Sequence, residues 1–177
     1  RSWEHGGNLP AQAVADGCVD IARQLIATPY GRGPQVLLGG GRAKFMPRIQ
    51  ADPEYTGKTG QRRDGRDLVA EWKAAHTGGA YVWNLQQLRG AKNAPAVLGL
   101  FEPDHMQYEH DRDRAAEPSL AELTAEAIRR LAQDPNGFVL MIEGGRIDHA
   151  NHEGNAFRAL DETIALSEAV RTAVEMT

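Results

Sequence analysis

The chain has 177 residues, of which 41% are hydrophobic and 25% charged, enough apolar material for a core of about one domain. Its formal net charge of −4 argues against a nucleic-acid binder, which shows a basic excess, and no apolar run nears the roughly 18 residues of a membrane span. Cys18 is the single cysteine, so no internal disulfide forms; it reads as a small buried apolar residue or as half of a bridge to a cysteine outside the chain.

Arg1 to Pro10 is polar and lacks the pattern of a signal peptide. Pro10 suits a first helical turn, and Val14, Cys18, Ile21, Ala22 and Leu25 follow at helical spacing. Pro29, Gly31, Gly33 and Pro34 end that helix. Val36-Leu37-Leu38 is a short buried strand closed by Gly39-Gly40-Gly41. Residues 42–65 read as an irregular polar loop, and a helix runs from about Arg66 to His76 with Leu68, Val69 and Trp72 inward. Tyr81–Trp83 and Ala96–Phe101 are the next strand candidates. The charged stretch Asp104–Glu117 reads as a solvated loop.

Ser119 and Glu122 form a capping box at the start of a helix whose buried stripe is Leu120, Leu123, Ile128 and Leu131. Phe138 to Ile142, five apolar residues in a row, predicts a central parallel strand buried on both faces. Beyond about Asp148 one last helix runs to the end, with Leu160, Ile164, Val170 and Val174 as its inner side. Strands alternating with helices indicate an α/β layered fold. Arg1-Ser2-Trp3 at one end and a helical pattern reaching Met176-Thr177 at the other read as the edges of an internal fragment.

Chemistry concentrates after the apolar run. In open α/β sheets, ligands sit beyond the carboxyl ends of the strands, where Glu143 stands. Asp148 and His152 are spaced i, i+4, so a helix presents both on one face, and a carboxylate with an imidazole can share a zinc ion. Glu143 is a hard oxygen donor suited to magnesium or a second metal. By spacing alone, Asp148 and His152 read first as a surface helix pair and Glu143 as a helix cap. Gly39–Gly41 lacks the lysine and threonine spacing of a P-loop. His105 and His110 lie in the charged loop and read as surface groups.

Glu143 to Glu153 reads EGGRIDHANHE and directly follows FVLMI. This string resembles the metal-binding segment of alkaline phosphatases, particularly the animal type and its bacterial relatives. RSWEHGGNLPAQAVADGCVDIARQLI, VLLGGGRAKFMP, DPEYTGK, DGRDLVAEW, YVWN, GLFEPDHMQYEHDRD and EPSLAELTAEAIRRL have counterparts in the same order. The resemblance implies a partial three-layer α/β/α sandwich with a largely parallel central sheet. It makes residues 1–177 an internal part of one catalytic domain, with a calcium-binding subregion at about 42–117.

The resemblance also implies roles. Glu143 matches a magnesium ligand, Asp148 and His152 match two ligands of one catalytic zinc, and Arg1 matches the arginine that clamps phosphate oxygens. Glu54, Glu102 and Glu117 match carboxylate ligands of a calcium ion, and Phe101 a carbonyl ligand; Glu117 stands where an aspartate is expected. His149 is not matched to a ligand, and Asn151 replaces a histidine. The implied serine nucleophile and remaining zinc ligands do not occur in 1–177.

The activity implied is hydrolysis of phosphate monoesters through a phosphoserine, with two zinc ions and one magnesium, in a homodimer that is periplasmic, secreted or surface-anchored. The alternatives are a related metal-dependent sulfatase or phosphodiesterase, and a non-enzymatic calcium-binding module.

Overall fold

The computed structural model describes residues 4–28, 31 and 33–177. They fall into two compact units: Arg1–Trp83 with Ala94–His105, and Asn84–Asn93 with Met106–Thr177.

The first unit holds α1 (Ala11–Ala15), α2 (Ile21–Ile26), β1 (Val36–Gly39), α3 (Arg42–Phe45), α4 (Leu68–Ala75), β2 (Ala80–Val82) and β3 (Val97–Leu100). Its three strands form an all-parallel sheet in the order β1-β3-β2, with Val97 opposite both Val36 and Ala80. The central strand, β3, is buried along its whole length, as expected of a continuous apolar run in a parallel sheet. Gly99 is required there: a Cβ would stand 2.7 Å from Leu38 Cδ2 and 2.8 Å from the Phe101 ring. The core joins Phe45, Met46, Leu68, Trp72, Leu98 and Leu100. This parallel sheet with its helices is the α/β class read from the sequence.

The helix expected from Pro10 to Leu25 is two helices. Gly17 takes a left-handed conformation (φ 80°), which ends α1. Asp20 then starts α2 by accepting the Arg23 N–H. Val14 and Leu25, placed inward by the continuous pattern, are exposed, and Ala22 alone of that stripe is buried. Cys18 is half-buried and its thiol is free. Of the predicted breakers, Pro29 lies outside the described residues, and Gly31 and Gly33 take left-handed conformations (φ 61° and 71°). Within the loop predicted for 42–65, Gly41 turns the chain at φ 82° into α3. The first three N–H groups, those of Gly41, Arg42 and Ala43, are taken by the carbonyls of Asp104, Glu102 and Pro103.

The second unit holds α5 (Leu85–Gly90), α6 (Leu120–Leu131), α7 (Arg146–His152) and α8 (Ala156–Met176). The capping box forms as read, with Glu122 N–H donating to Ser119 Oγ and Ser119 N–H to the Glu122 carboxylate. Leu123 and Ile128 are buried, and Leu120 and Leu131 half-buried.

Two expectations fail here. Phe138–Ile142 is not a strand, and Val139 and Met141 are 97% and 86% exposed. No strand lies in this unit among the described residues, so the run has no backbone partner, and a strand without a ladder has unpaired N–H and C=O groups. The last helix is also divided. Gly154, at φ 66°, separates α7 from α8, and Asn155 caps α8 by accepting the Arg158 N–H. The inner face of α8 is Glu162 and Ala169, not Leu160, Ile164, Val170 and Val174, which are all more than half exposed. Both α6 and α7 pack on α8, and they select the small Ala169 for close approach.

Candidate metal centre

Glu143 lies in the irregular segment that leads into α7, with its carboxylate near Gly145. Gly144 fits between helices: a Cβ there would meet Ile147 at 3.1 Å and Leu166 of α8 at 3.3 Å. The helix that follows is seven residues long, too short to stand alone. Ala150 anchors it, with no exposed surface. The opposite face carries Asp148 and His152 outward.

Those two side chains converge. His152 Nε2 is 3.5 Å from Asp148 Oδ1, and the side chains are 77% and 73% exposed. Zinc binds imidazole nitrogen and carboxylate oxygen at about 2.0–2.2 Å, and tetrahedral bonds of that length put two ligand atoms roughly 3.3–3.6 Å apart. The observed separation and the N/O donor set fit two positions on one ion. Among the described residues no group of three or more His, Cys, Asp or Glu side chains is arranged for a metal, so the structure brings together a pair and not a closed site.

Neighbouring polar groups are engaged elsewhere. His149 Nδ1 is 3.0 Å from Arg146 Nη1. The Asn151 amide donates to the Ile147 carbonyl at 2.8 Å. Arg1 lies outside the described residues.

The residues matched to calcium are distributed over both units. In the first, Arg42 is fully buried and binds Asp52 through two hydrogen bonds of 2.9 Å. It also donates to the Leu100 carbonyl at 2.9 Å and to Glu54 at 2.7 Å. Burial pushes the Glu54 carboxyl up; Arg42 opposes that, the Glu102 and Asp52 charges reinforce it, and the net direction is upward. Glu102 accepts from the Tyr55 hydroxyl at 2.7 Å. Phe101 is buried, and its N–H donates to the Gly39 carbonyl. In the second unit, Glu117 is buried and accepts the Gln107 N–H at 3.0 Å. Glu54 and Glu102 thus enter one charged cluster around Arg42, which the sequence reading did not include.

Sequence reasoning also passed over Tyr108, Arg146, Glu153 and Arg158. Tyr108 is buried, and its hydroxyl donates to Glu153 at 2.8 Å. The guanidinium carbons of Arg146 and Arg158 lie 3.7 and 4.5 Å from its ring centre. Arg158 also pairs with Asp111 at 2.6 Å and approaches Glu153 at 3.5 Å. Burial first, then the bond to Glu153, keep the Tyr108 phenol protonated above its usual range. No spacing rule flags such a group; the available signal is two arginines flanking the Asp148/His152 pair.

A family model described as alkaline phosphatase matches residues 1–177. The membrane-bound alkaline phosphatase of Bombyx mori is 43% identical over 182 residues, covering 99% of this chain and 33% of that protein. The tissue-nonspecific isozyme of Gallus gallus is 43% identical over 185 residues, 100% of this chain and 35% of that protein. The chain therefore spans about a third of the length of these curated relatives. The crystal structure of Thermus thermophilus alkaline phosphatase superposes with a TM-score of 0.66 at 38% identity, covering 78% of this chain and 27% of that one. A variant of TAB5 alkaline phosphatase solved with Mg in its M3 site shares the fold at 22% identity and a TM-score of 0.62.

Proposed function

The chain belongs to the alkaline phosphatase family, and from that premise we propose that it is an internal part of the catalytic domain of a phosphate monoester hydrolase. The convergence of Asp148 and His152 at a ligand-like 3.5 Å carries the reading. In it these two residues hold one zinc ion, Glu143 holds magnesium, and Arg1 clamps phosphate oxygens with its planar fork of donors. When bound, the metals supply Lewis-acid stabilisation of phosphoryl oxygens and lower the pKa of a bound nucleophile. A serine nucleophile and the remaining zinc ligands come from residues other than 1–177. The i, i+4 spacing on α7 puts carboxylate and imidazole on one face, and the open outward face leaves room for ligands from elsewhere.

Glu54, Phe101, Glu102 and Glu117 form the calcium-binding part of the same proposal, in the subregion at about 42–117. Oxygen donors alone suit that ion. Arg42 donates to one Glu54 oxygen, so a cation bound there would share this carboxylate with the guanidinium. The complete protein is proposed to act as a homodimer and to be periplasmic, secreted or surface-anchored. Among the described residues, no helix is long and apolar enough to cross a membrane.

The test is turnover of p-nitrophenyl phosphate by the full-length protein with zinc and magnesium. Asp148→Ala and His152→Ala are each expected to cut kcat by roughly 100-fold or more, since the metal supplies several kcal/mol of transition-state stabilisation. Full activity in both variants would refute the assignment. Turnover of a sulfate ester or phosphodiester in preference to the monoester would instead favour the sulfatase or phosphodiesterase reading.

A further inference from the structure

Residues that hold the Asp148/His152 helix in place are as informative as the pair itself. The α7 helix begins at Arg146 and its C-cap is Glu153. Both of these end residues meet one side chain. The Arg146 guanidinium lies over the Tyr108 ring at 3.7 Å, and the Tyr108 hydroxyl donates to the Glu153 carboxylate at 2.8 Å. Tyr108 is 4% exposed, so its ring meets these partners from a buried position, while the Glu153 side chain is half exposed.

The support continues on both sides. Arg158, in the first turn of α8, lies over the same ring and also approaches Glu153. The segment carrying Tyr108 is tied to α8 by the Glu109 N–H, which donates to the buried Glu162 carboxylate at 2.6 Å. Arg146 Nη1 reaches His149 at 3.0 Å, while its Nε is buried without a hydrogen-bond partner among the described residues. The ring contributes to holding that guanidinium.

We infer that Tyr108 is a positioning residue for the zinc-ligand pair: it clamps both ends of α7 and so fixes the rotation that presents Asp148 and His152 together. This rests on the zinc reading given above. Seven helical residues lack the length for independent stability, so their geometry is set by such tertiary contacts. Outer groups of this kind ordinarily alter metal affinity by about 10–100-fold when removed.

Tyr108→Leu keeps a buried apolar side chain but removes both the ring and the hydroxyl, whereas Tyr108→Phe removes only the hydroxyl. In the full-length protein, zinc affinity is measured by competition with a chromogenic chelator, alongside the visible spectrum of the cobalt(II)-substituted protein and the melting curve of the metal-free protein. The expected result is zinc binding weakened roughly 10-fold or more in Tyr108→Leu. Tyr108→Phe should fall between it and wild type, and the cobalt band should shift in the Leu variant. Glu153→Ala should reproduce the Phe effect.

Wild-type zinc affinity and cobalt spectrum in folded Tyr108→Leu would overturn the inference. If that variant does not fold, unchanged affinity in both Tyr108→Phe and Glu153→Ala would overturn it instead. Asp148→Ala and His152→Ala separate the two levels. If they leave zinc binding intact, the zinc reading fails. If they abolish it while the Tyr108 and Glu153 variants bind normally, only the positioning role fails.

Discussion

Arg62 grips Asp20 from 42 positions away through two hydrogen bonds of 2.9 Å, with both side chains buried. The same guanidinium holds Asp64 and the Lys44 carbonyl, so one side chain joins the cap of α2 to the loop after α3. Removing one partner of a buried pair leaves the other charge uncompensated, at a cost of about 3–5 kcal/mol. Asp20→Ala should fall at or below the lower end, about 3 kcal/mol, because Asp64 still neutralises Arg62 and lies partly in solvent. Urea unfolding with an unchanged m-value checks this, and a loss below about 1 kcal/mol would contradict it.

The pH dependence has two opposed parts. Burial would raise Asp20 and Asp52, but hydrogen bonds from Arg62 and Arg42, with backbone N–H groups, bring both below the usual carboxylate value. Their contribution is fully present above the unfolded value near 3.8 and is lost as pH falls through the folded values. Glu162 moves the other way. Burial pushes its carboxyl up, the Glu109 N–H and Arg146 oppose this, and the Glu109 and Asp161 charges add to it. Its contribution is therefore favourable at low pH and lost as pH rises through the folded value. Glu162→Gln keeps an acceptor for the Glu109 N–H, so it should stabilise at pH 7 and have no such benefit below pH 4. Thermal melts at the two pH values decide it; destabilisation at pH 7 would refute the sign.

Two glycines differ sharply in what they tolerate. At Gly60 a Cβ would lie 2.2 Å from the Met46 carbonyl oxygen, a backbone atom that also accepts the Arg62 N–H. At Gly90, in α5, nothing lies within 4 Å. Gly60→Ala should cost about 3 kcal/mol or more, at the upper end of overpacking penalties. Gly90→Ala should be neutral or stabilising by up to about 1 kcal/mol. Chemical denaturation of both variants tests the contrast, and equal effects would contradict it.

What could be read from sequence was local. The Ser119/Glu122 box, β3 and the shared face of Asp148 and His152 each depend on residues within a few positions of one another, and each is found. The expected strand at Phe138–Ile142 depends on a neighbour to complete its ladder, and apolar character does not provide one. The inner face of α8 was chosen by hydrophobicity, whereas close approach of helices selected Ala169 and a hydrogen-bonded Glu162. The continuous first helix failed at Gly17, whose left-handed backbone outweighs the periodicity around it. Arg42 and Tyr108 were illegible because their partners lie beyond any local spacing rule: Asp52 is 10 positions from Arg42, Leu100 is 58, and Glu153 is 45 from Tyr108.

The calcium proposal predicts a change in the loop that carries Glu54. Arg42 donates to one oxygen of this carboxylate, so calcium would share it with an internal cation. Calcium should slow proteolysis of residues 42–65 in the full-length protein, and Glu102→Gln should abolish that protection. Equal digestion rates in calcium and in chelator would remove the site.

The central claim is that Asp148 and His152 bind the same zinc ion. Anomalous diffraction at the zinc edge, on crystals of the full-length protein, tests it most directly. The account predicts a peak about 2.0–2.2 Å from both an Asp148 carboxylate oxygen and His152 Nε2. A zinc peak coordinated by other residues, with either of these side chains turned away into solvent, would contradict it.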